Sequence, residues 1–84
     1  MNILFTPNAW GDSQHWVMTD KAMVKRINKL IADIQRAPFT GIGKPEALKH
    51  QLSGYWSRRI TDEHRLVYAV EENQLVIITA RHHY

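Results

Sequence analysis

The strongest periodic signal in the chain lies between residues 20 and 36. Met23, Ile27, Leu30 and Ile34 recur at spacings of three and four, with Val24 and Ile31 beside them. Such a stripe is what the buried face of an α-helix requires. Thr19-Asp20 supplies a cap ahead of it. Lys21, Lys25, Lys29 and Arg36 fall off the stripe; they read either as a solvated face or as a basic ridge turned toward nucleic acid. A weaker helix is predicted over residues 7–17. Thr6 can cap it, and Pro7 at the first helical position loses no needed hydrogen bond. Trp10 and Val17 are seven apart and mark its thin apolar stripe. The short link between the two segments predicts an antiparallel hairpin.

The rest of the chain changes period. Residues 2–5 read as a short strand. Pro38, Gly41, Gly43 and Pro45 then break any regular pattern. Residues 55–61, 65–70 and 75–83 read as strands, with turns near residues 61–64 and 71–73. Leu66, Tyr68 and Val70 point to one face; Arg65, Val67 and Ala69 point to the other. Trp56 and Ile60 look like core, so Arg58 shares their face and Arg59 the opposite one. By parity, Ile77, Thr79, Arg81 and His83 fall together. Trp10, Trp16 and Tyr68 are expected in the core. The order predicts an α+β domain spanning residues 1–84. Its N-terminal strand and two-helix hairpin pack on an antiparallel sheet of about four to five strands.

Composition narrows the class. The chain has 84 residues, no cysteine and 44% hydrophobic content. It is a single globular domain with a thin core and no disulfide framework or thiolate zinc site. No targeting signal is visible, and no apolar run approaches the roughly 20 residues that span a bilayer. A soluble, cytoplasmic chain with no membrane association is expected. The net charge of +3 is modest, but its distribution is uneven. Five of the eleven Lys and Arg residues lie between Lys44 and Arg65, and the chain closes on Arg81-His82-His83-Tyr84.

That clustering suggests an anion site. Arg59 and Arg65, with Lys44 and Lys49, could grip a phosphodiester, because guanidinium groups bind phosphate oxygens in pairs and stay charged at any working pH. Arg58 either joins them or is an ordinary strand charge. His83 is placed to move protons, since an imidazole ordinarily titrates at about 6.5. Glu46 is the carboxylate nearest the cations and could act as a base; those cations weaken its hold on a proton yet would steady an attacking 2′-oxyanion. The bland readings remain open beside these. Glu46 follows Pro45 and fits the first turn of a short helix. Arg65 fits a turn ion pair with Asp62 or Glu63. His82 and His83 fit a frayed end, and Tyr84 a packing plug. The spacing of the five His residues does not favour a metal site, and no cofactor is expected.

The stretch GKPEALKHQLSGYWSRRITDEHRLVYAV, residues 43–70, together with the terminal Arg-His-His-Tyr, closely resembles the YoeB toxins of the RelE/ParE superfamily. The likeness extends over the chain, including VKRINKLIADIQRAPFTGIGKPE. It implies a microbial-ribonuclease-like fold and a toxin that enters the ribosomal A site and cleaves the mRNA codon there without metal. Carried onto this sequence, Glu46 resembles the general base and His83 the general acid. Arg65 would stabilise the phosphate charge, Tyr84 would orient the base or phosphate, and Lys49 and Arg59 would support. The resemblance also implies a YefM-type antitoxin partner, operator DNA contacted through that antitoxin, and a possible homodimer.

Two other classes share the fold and the cations. One is a non-catalytic RNA- or ribosome-binding module. The other is a ParE-like protein that inhibits gyrase by binding. Neither needs the titrating pair Glu46 and His83, which is what favours nuclease chemistry.

Overall fold

The structure, a computed structural model, describes residues 1–82. In chain order it comprises β1 (Asn2–Phe5), α1 (Pro7–Thr19), α2 (Lys21–Arg36), β2 (Glu46–Ala47), β3 (Trp56–Arg59), β4 (Arg65–Glu71) and β5 (Gln74–Thr79). A single 3-10 turn, His50–Leu52, follows β2. Among the described residues no helix is long and apolar enough to cross a membrane.

Local chemistry fixes the helix ends. The Thr6 hydroxyl accepts from Ala9 N at 3.1 Å and donates to Ile78 O at 3.1 Å, so the cap also ties α1 to the sheet. Asp20 serves both helices. Its amide donates to Trp16 O at 2.8 Å, closing α1, while its carboxylate accepts from Ala22 N at 3.0 Å, opening α2. One residue therefore makes the hairpin. On α2 the expected stripe is the buried one: Met23, Ile27, Leu30, Ile31 and Ile34. On α1 the buried residues are Ala9 and Trp16. Trp10 is 55% exposed and Val17 48% exposed, so the stripe expected through them is displaced by one residue. Ala9 and Trp16 keep the seven-residue spacing, but only the sheet decides which of two adjacent rows faces it.

The five strands form one sheet in the order β1-β5-β4-β3-β2. Neighbours from β5 to β2 are antiparallel, but β1 lies parallel to β5, from Asn2 opposite Gln74 to Phe5 opposite Ile77. The sheet is thus mixed rather than antiparallel throughout. Parallel neighbours need a long crossover, and everything from α1 to β4 supplies it. Both helices pack on one face. There Leu66, Tyr68, Leu75 and Ile77 join Ala9, Trp16 and the α2 stripe in the main core. Val67, Ala69, Val76 and Leu48 are buried as well but lie outside that cluster; they belong to the other side of the sheet or its edge.

A bulge sits where β4 meets β5. Tyr68 stands opposite Ile77 while Val67 stands opposite Thr79, leaving Ile78 as the extra residue. Ile77 therefore faces the helices and Thr79 does not. The unbroken alternation expected from Ile77 through Arg81 fails here, and the chain beyond Thr79 is re-aimed. Arg81 ends with its guanidinium 6.0 Å above the Trp16 ring of α1.

Candidate active site

The helix-free face carries the charges that the sequence singles out. Glu46 of β2 stands opposite Ser57 of β3, Ser57 opposite Val67 of β4, and Arg59 opposite Arg65. Facing residues of paired strands project to the same side, as do residues two apart along a strand. Glu46, Ser57, Arg59, Arg65 and Val67 therefore share one surface, away from the helices. Glu46 is extended in β2, not in the first turn of a helix. The 3-10 turn after β2 brings Lys49 round. Lys49, Glu46, Ala47, Leu48, His50 and Leu52 line a concavity of about 410 Å³. Leu48 N donates to Tyr55 O at 2.9 Å and Leu52 N to Lys49 O at 3.1 Å, closing that loop on itself. Lys44 is exposed at the end of the preceding loop, in the left-handed region with φ 53°.

Arg59 and Arg65 thus bring two guanidinium-bearing residues to directly facing positions of the β3–β4 pair. Arg59 is held from its backbone, its amide donating to Gly43 O at 2.7 Å. The same bond brings the end of the loop, and Lys44 with it, toward β3.

Arg58 does not belong to this surface. It is fully buried on the helix side, where its donors are all used. Nε donates to the Tyr68 hydroxyl at 3.2 Å. Nη1 donates to Asp33 Oδ2 at 2.6 Å and Ile42 O at 3.1 Å. Nη2 donates to Ala37 O at 2.7 Å and Thr40 O at 2.8 Å. The Tyr68 hydroxyl in turn donates a hydrogen bond to Pro38 O at 2.7 Å. The expectation that Arg58 contacts phosphate is therefore corrected: this guanidinium folds the loop after α2. A β-carbon at Gly41 would lie 2.1 Å from Asp33 Oδ2, so only glycine allows the loop that close. Hydrogen bonds from Arg36, Arg58 and Ile42 N hold the Asp33 carboxyl down to about 2. Burial pushes the Tyr68 phenol up.

His83 and Tyr84 lie outside the described residues. The segment leading to them is held by hydrogen bonds to α1 and to the β3–β4 turn. Ala80 N donates to Asp12 Oδ2 at 3.0 Å, and Trp16 Nε1 donates to Ala80 O at 2.9 Å. His82 N donates to His64 Nδ1 at 2.8 Å, and Arg65 N donates to His82 O at 3.0 Å. Four residues that sequence reasoning left without a role thus stand in or beside the site: Asp12, His50, Ser57 and His64. Asp12 and His64 act over sequence distances of 68 and 18 residues, which no local pattern encodes. Among the described residues no cluster of three His, Asp or Glu side chains could hold a metal ion.

Two helices on one face of a five-stranded sheet, with a carboxylate and two facing arginines on the other, define a small α+β domain with one charged, helix-free face. A family model described as "YoeB-like toxin of bacterial type II toxin-antitoxin system" matches residues 5–84. Toxin YoeB of Streptomyces coelicolor is 61% identical over 84 residues, the whole of both chains. The YoeB/ParE toxin from Agrobacterium tumefaciens superimposes with a TM-score of 0.98 at 49% identity, again over the whole of both chains. YoeB of Staphylococcus aureus, solved in a heterotetrameric YoeB-YefM complex, gives a TM-score of 0.93 at 49% identity, covering 100% of this chain and 98% of that one. The chain belongs to the YoeB-like toxins of bacterial type II toxin-antitoxin systems.

Proposed function

We propose that this toxin is a ribosome-dependent mRNA endoribonuclease that cleaves the codon in the ribosomal A site and so stops translation. The observation that carries the reading is Arg59 standing opposite Arg65 on the face that also bears Glu46. Two guanidinium-bearing residues facing each other beside a carboxylate suit a face that receives a phosphodiester. Phosphoryl chemistry needs fixed cations where charge builds up in the transition state, and Arg65 and Arg59 supply them, with Lys49 and Lys44 nearby.

In the proposed reaction Glu46 takes the proton from the 2′-hydroxyl. The 2′-oxygen attacks the adjacent phosphorus, and the bond from phosphorus to the 5′-oxygen breaks. His83 donates a proton to that leaving oxygen. The products are a 2′,3′-cyclic phosphate and a 5′-hydroxyl, and no cofactor enters the scheme. Arg65 neutralises the pentacoordinate phosphorane, and Tyr84 orients the nucleotide. A YefM-type antitoxin neutralises the toxin, as the Staphylococcus aureus YoeB-YefM complex suggests. Operator DNA would be contacted only through such an antitoxin. A homodimer is suggested by the Staphylococcus aureus YoeB dimer. The site of action is the cytoplasm.

The test is cleavage of an A-site codon on programmed ribosomes by the parent and by its Glu46→Gln and His83→Gln variants, each confirmed folded. Loss of about 10²–10⁴ in rate for each variant is expected, the usual scale for a general acid or base. Ribosome binding without cleavage by the parent would overturn the nuclease reading in favour of a binding module. Neither binding nor cleavage would move the search to gyrase.

A further inference from the structure

The bend before the C-terminal pair is held by a side chain that the reaction scheme does not use. His82 has φ 65°, a left-handed conformation that an L-residue adopts only at a cost. Two hydrogen bonds hold it there. The acceptor for its amide is His64 Nδ1 at 2.8 Å, and the donor to its carbonyl is Arg65 N at 3.0 Å. The second is backbone to backbone and survives any substitution. The first depends on the lone pair of one imidazole.

That imidazole is fixed before it meets His82. Its ring stands edge-on to Trp16, with centroids 4.9 Å apart and planes at 76°. Its backbone is locked in the turn between β3 and β4. The Thr61 hydroxyl accepts from the amides of Glu63 and His64, both at 3.2 Å. His64 O accepts from Ile60 N at 2.9 Å. Trp16 in turn holds Ala80 O through its indole N–H, at 2.9 Å. The helix hairpin and the strand turn thus close on residues 80–82 from two sides. Nδ1 acts here as an acceptor, so the ring proton belongs on Nε2.

We propose that His64 is a positioning residue for RNA cleavage: its Nδ1 lone pair captures the His82 amide and so sets the direction in which the chain enters His83-Tyr84. The inference rests on the proposed roles of those two residues. It deepens that reading by saying what aims them. His64 makes no contact with substrate in this scheme. Misplacing a reacting group by about 1 Å costs on the order of 10²-fold.

The experiment compares the parent with His64→Phe and His64→Asn in two measurements. Phe keeps an aromatic ring against Trp16 but cannot accept a hydrogen bond. Asn loses the ring but places Oδ1 where Nδ1 stood. Single-turnover cleavage on programmed ribosomes is expected to fall about 10- to 100-fold in His64→Phe, at unchanged ribosome affinity, and to recover most of the way in His64→Asn. Amide hydrogen exchange at His82 in the free protein is expected to speed up in His64→Phe and to stay slow in His64→Asn. Parent-like cleavage by His64→Phe, or His64→Asn no better than His64→Phe, would overturn the positioning role. Unchanged exchange at His82 in His64→Phe would overturn the anchor itself. A parent that does not cleave would sink the nuclease reading, and the exchange data would still decide separately whether His64 holds the bend.

Discussion

Arg58 Nη1 donates to Asp33 Oδ2 at 2.6 Å, from a guanidinium with no exposed surface. The neighbouring Arg59 lies on the opposite face of the same strand. Two consecutive arginines thus hold unrelated posts, and substitution separates them. Removing the Arg58 guanidinium takes the donor away from the Tyr68 hydroxyl and from the carbonyls of Ala37, Thr40 and Ile42 as well as from Asp33, and acceptors left unmet inside a protein are costly. Arg58→Ala is therefore expected to lower the urea midpoint sharply and to release the loop after α2. A midpoint within error of the parent would remove Arg58 from the core network.

The same pair carries a pH signature. Hydrogen bonds from Arg36, then Arg58 and Ile42 N, lower the Asp33 carboxyl from 3.8 to about 2. A group depressed in the folded state stabilises above its unfolded value and loses that contribution as pH falls through the folded one. The Asp33 contribution should persist to pH 4 and disappear toward pH 2. In Asp33→Asn the parent's advantage in midpoint should shrink over that window. An advantage unchanged between pH 5 and pH 2 would contradict the assignment. Tyr68, whose phenol is pushed up by burial, should favour the fold below pH 10 and cease to do so as the phenol ionises at still higher pH.

Much of this architecture was legible because period encodes it. The α2 stripe and the alternation of Leu66, Tyr68 and Val70 name their buried faces directly, and Arg59 and Arg65 fell on one face by the same count. Three features were not legible, each for a physical reason. Arg58 has the parity of Trp56 and Ile60, which correctly puts it with the core, but a charge in a core needs a partner, and Asp33 is 25 residues away. The Ile78 bulge reverses the alternation of β5, and nothing in a run of β-branched residues marks the extra one. On α1 two adjacent rows, Ala9 with Trp16 and Trp10 with Val17, have the same spacing, and only the sheet chooses between them.

Ser57 makes a prediction of opposite sign. Its side chain is buried beside Glu46, and its hydroxyl has no hydrogen-bond partner among the described residues. Burying a hydroxyl unpaired costs about 1–3 kcal/mol. Ser57→Ala should accordingly be neutral or raise the urea midpoint, where most buried substitutions lower it. A clear loss of stability would reveal a partner for the hydroxyl.

Chelation bears on the charge balance of the site. If Arg59, Arg65 and Lys49 supply the positive charge around the phosphate, cleavage should proceed at the parent rate in excess EDTA, once the ribosomes' own magnesium requirement is met by a fixed free concentration. Loss of cleavage that a trace transition metal restores would instead put a metal ion in the mechanism.

Arg59 offers the sharpest contrast between stability and activity. It faces Arg65 across the β3–β4 pair, and facing like charges destabilise a sheet by roughly 0.2–1 kcal/mol. Its backbone bond to Gly43 O does not depend on the side chain. Arg59→Ala should therefore leave the urea midpoint unchanged or slightly raised. Cleavage should move the other way. A charge-assisted hydrogen bond to phosphate contributes about 1.5–3 kcal/mol, which corresponds to a loss of roughly 10- to 100-fold in single-turnover rate. Arg59→Lys should keep the fold and recover part of the rate, since a point charge replaces a bidentate fork. Both effects follow from one geometry, in which the backbone of Arg59 serves the fold and its side chain is left to the ligand. A variant that loses stability and activity together would show Arg59 to be structural, and the phosphate site would then have to be rebuilt around Arg65 and Lys49.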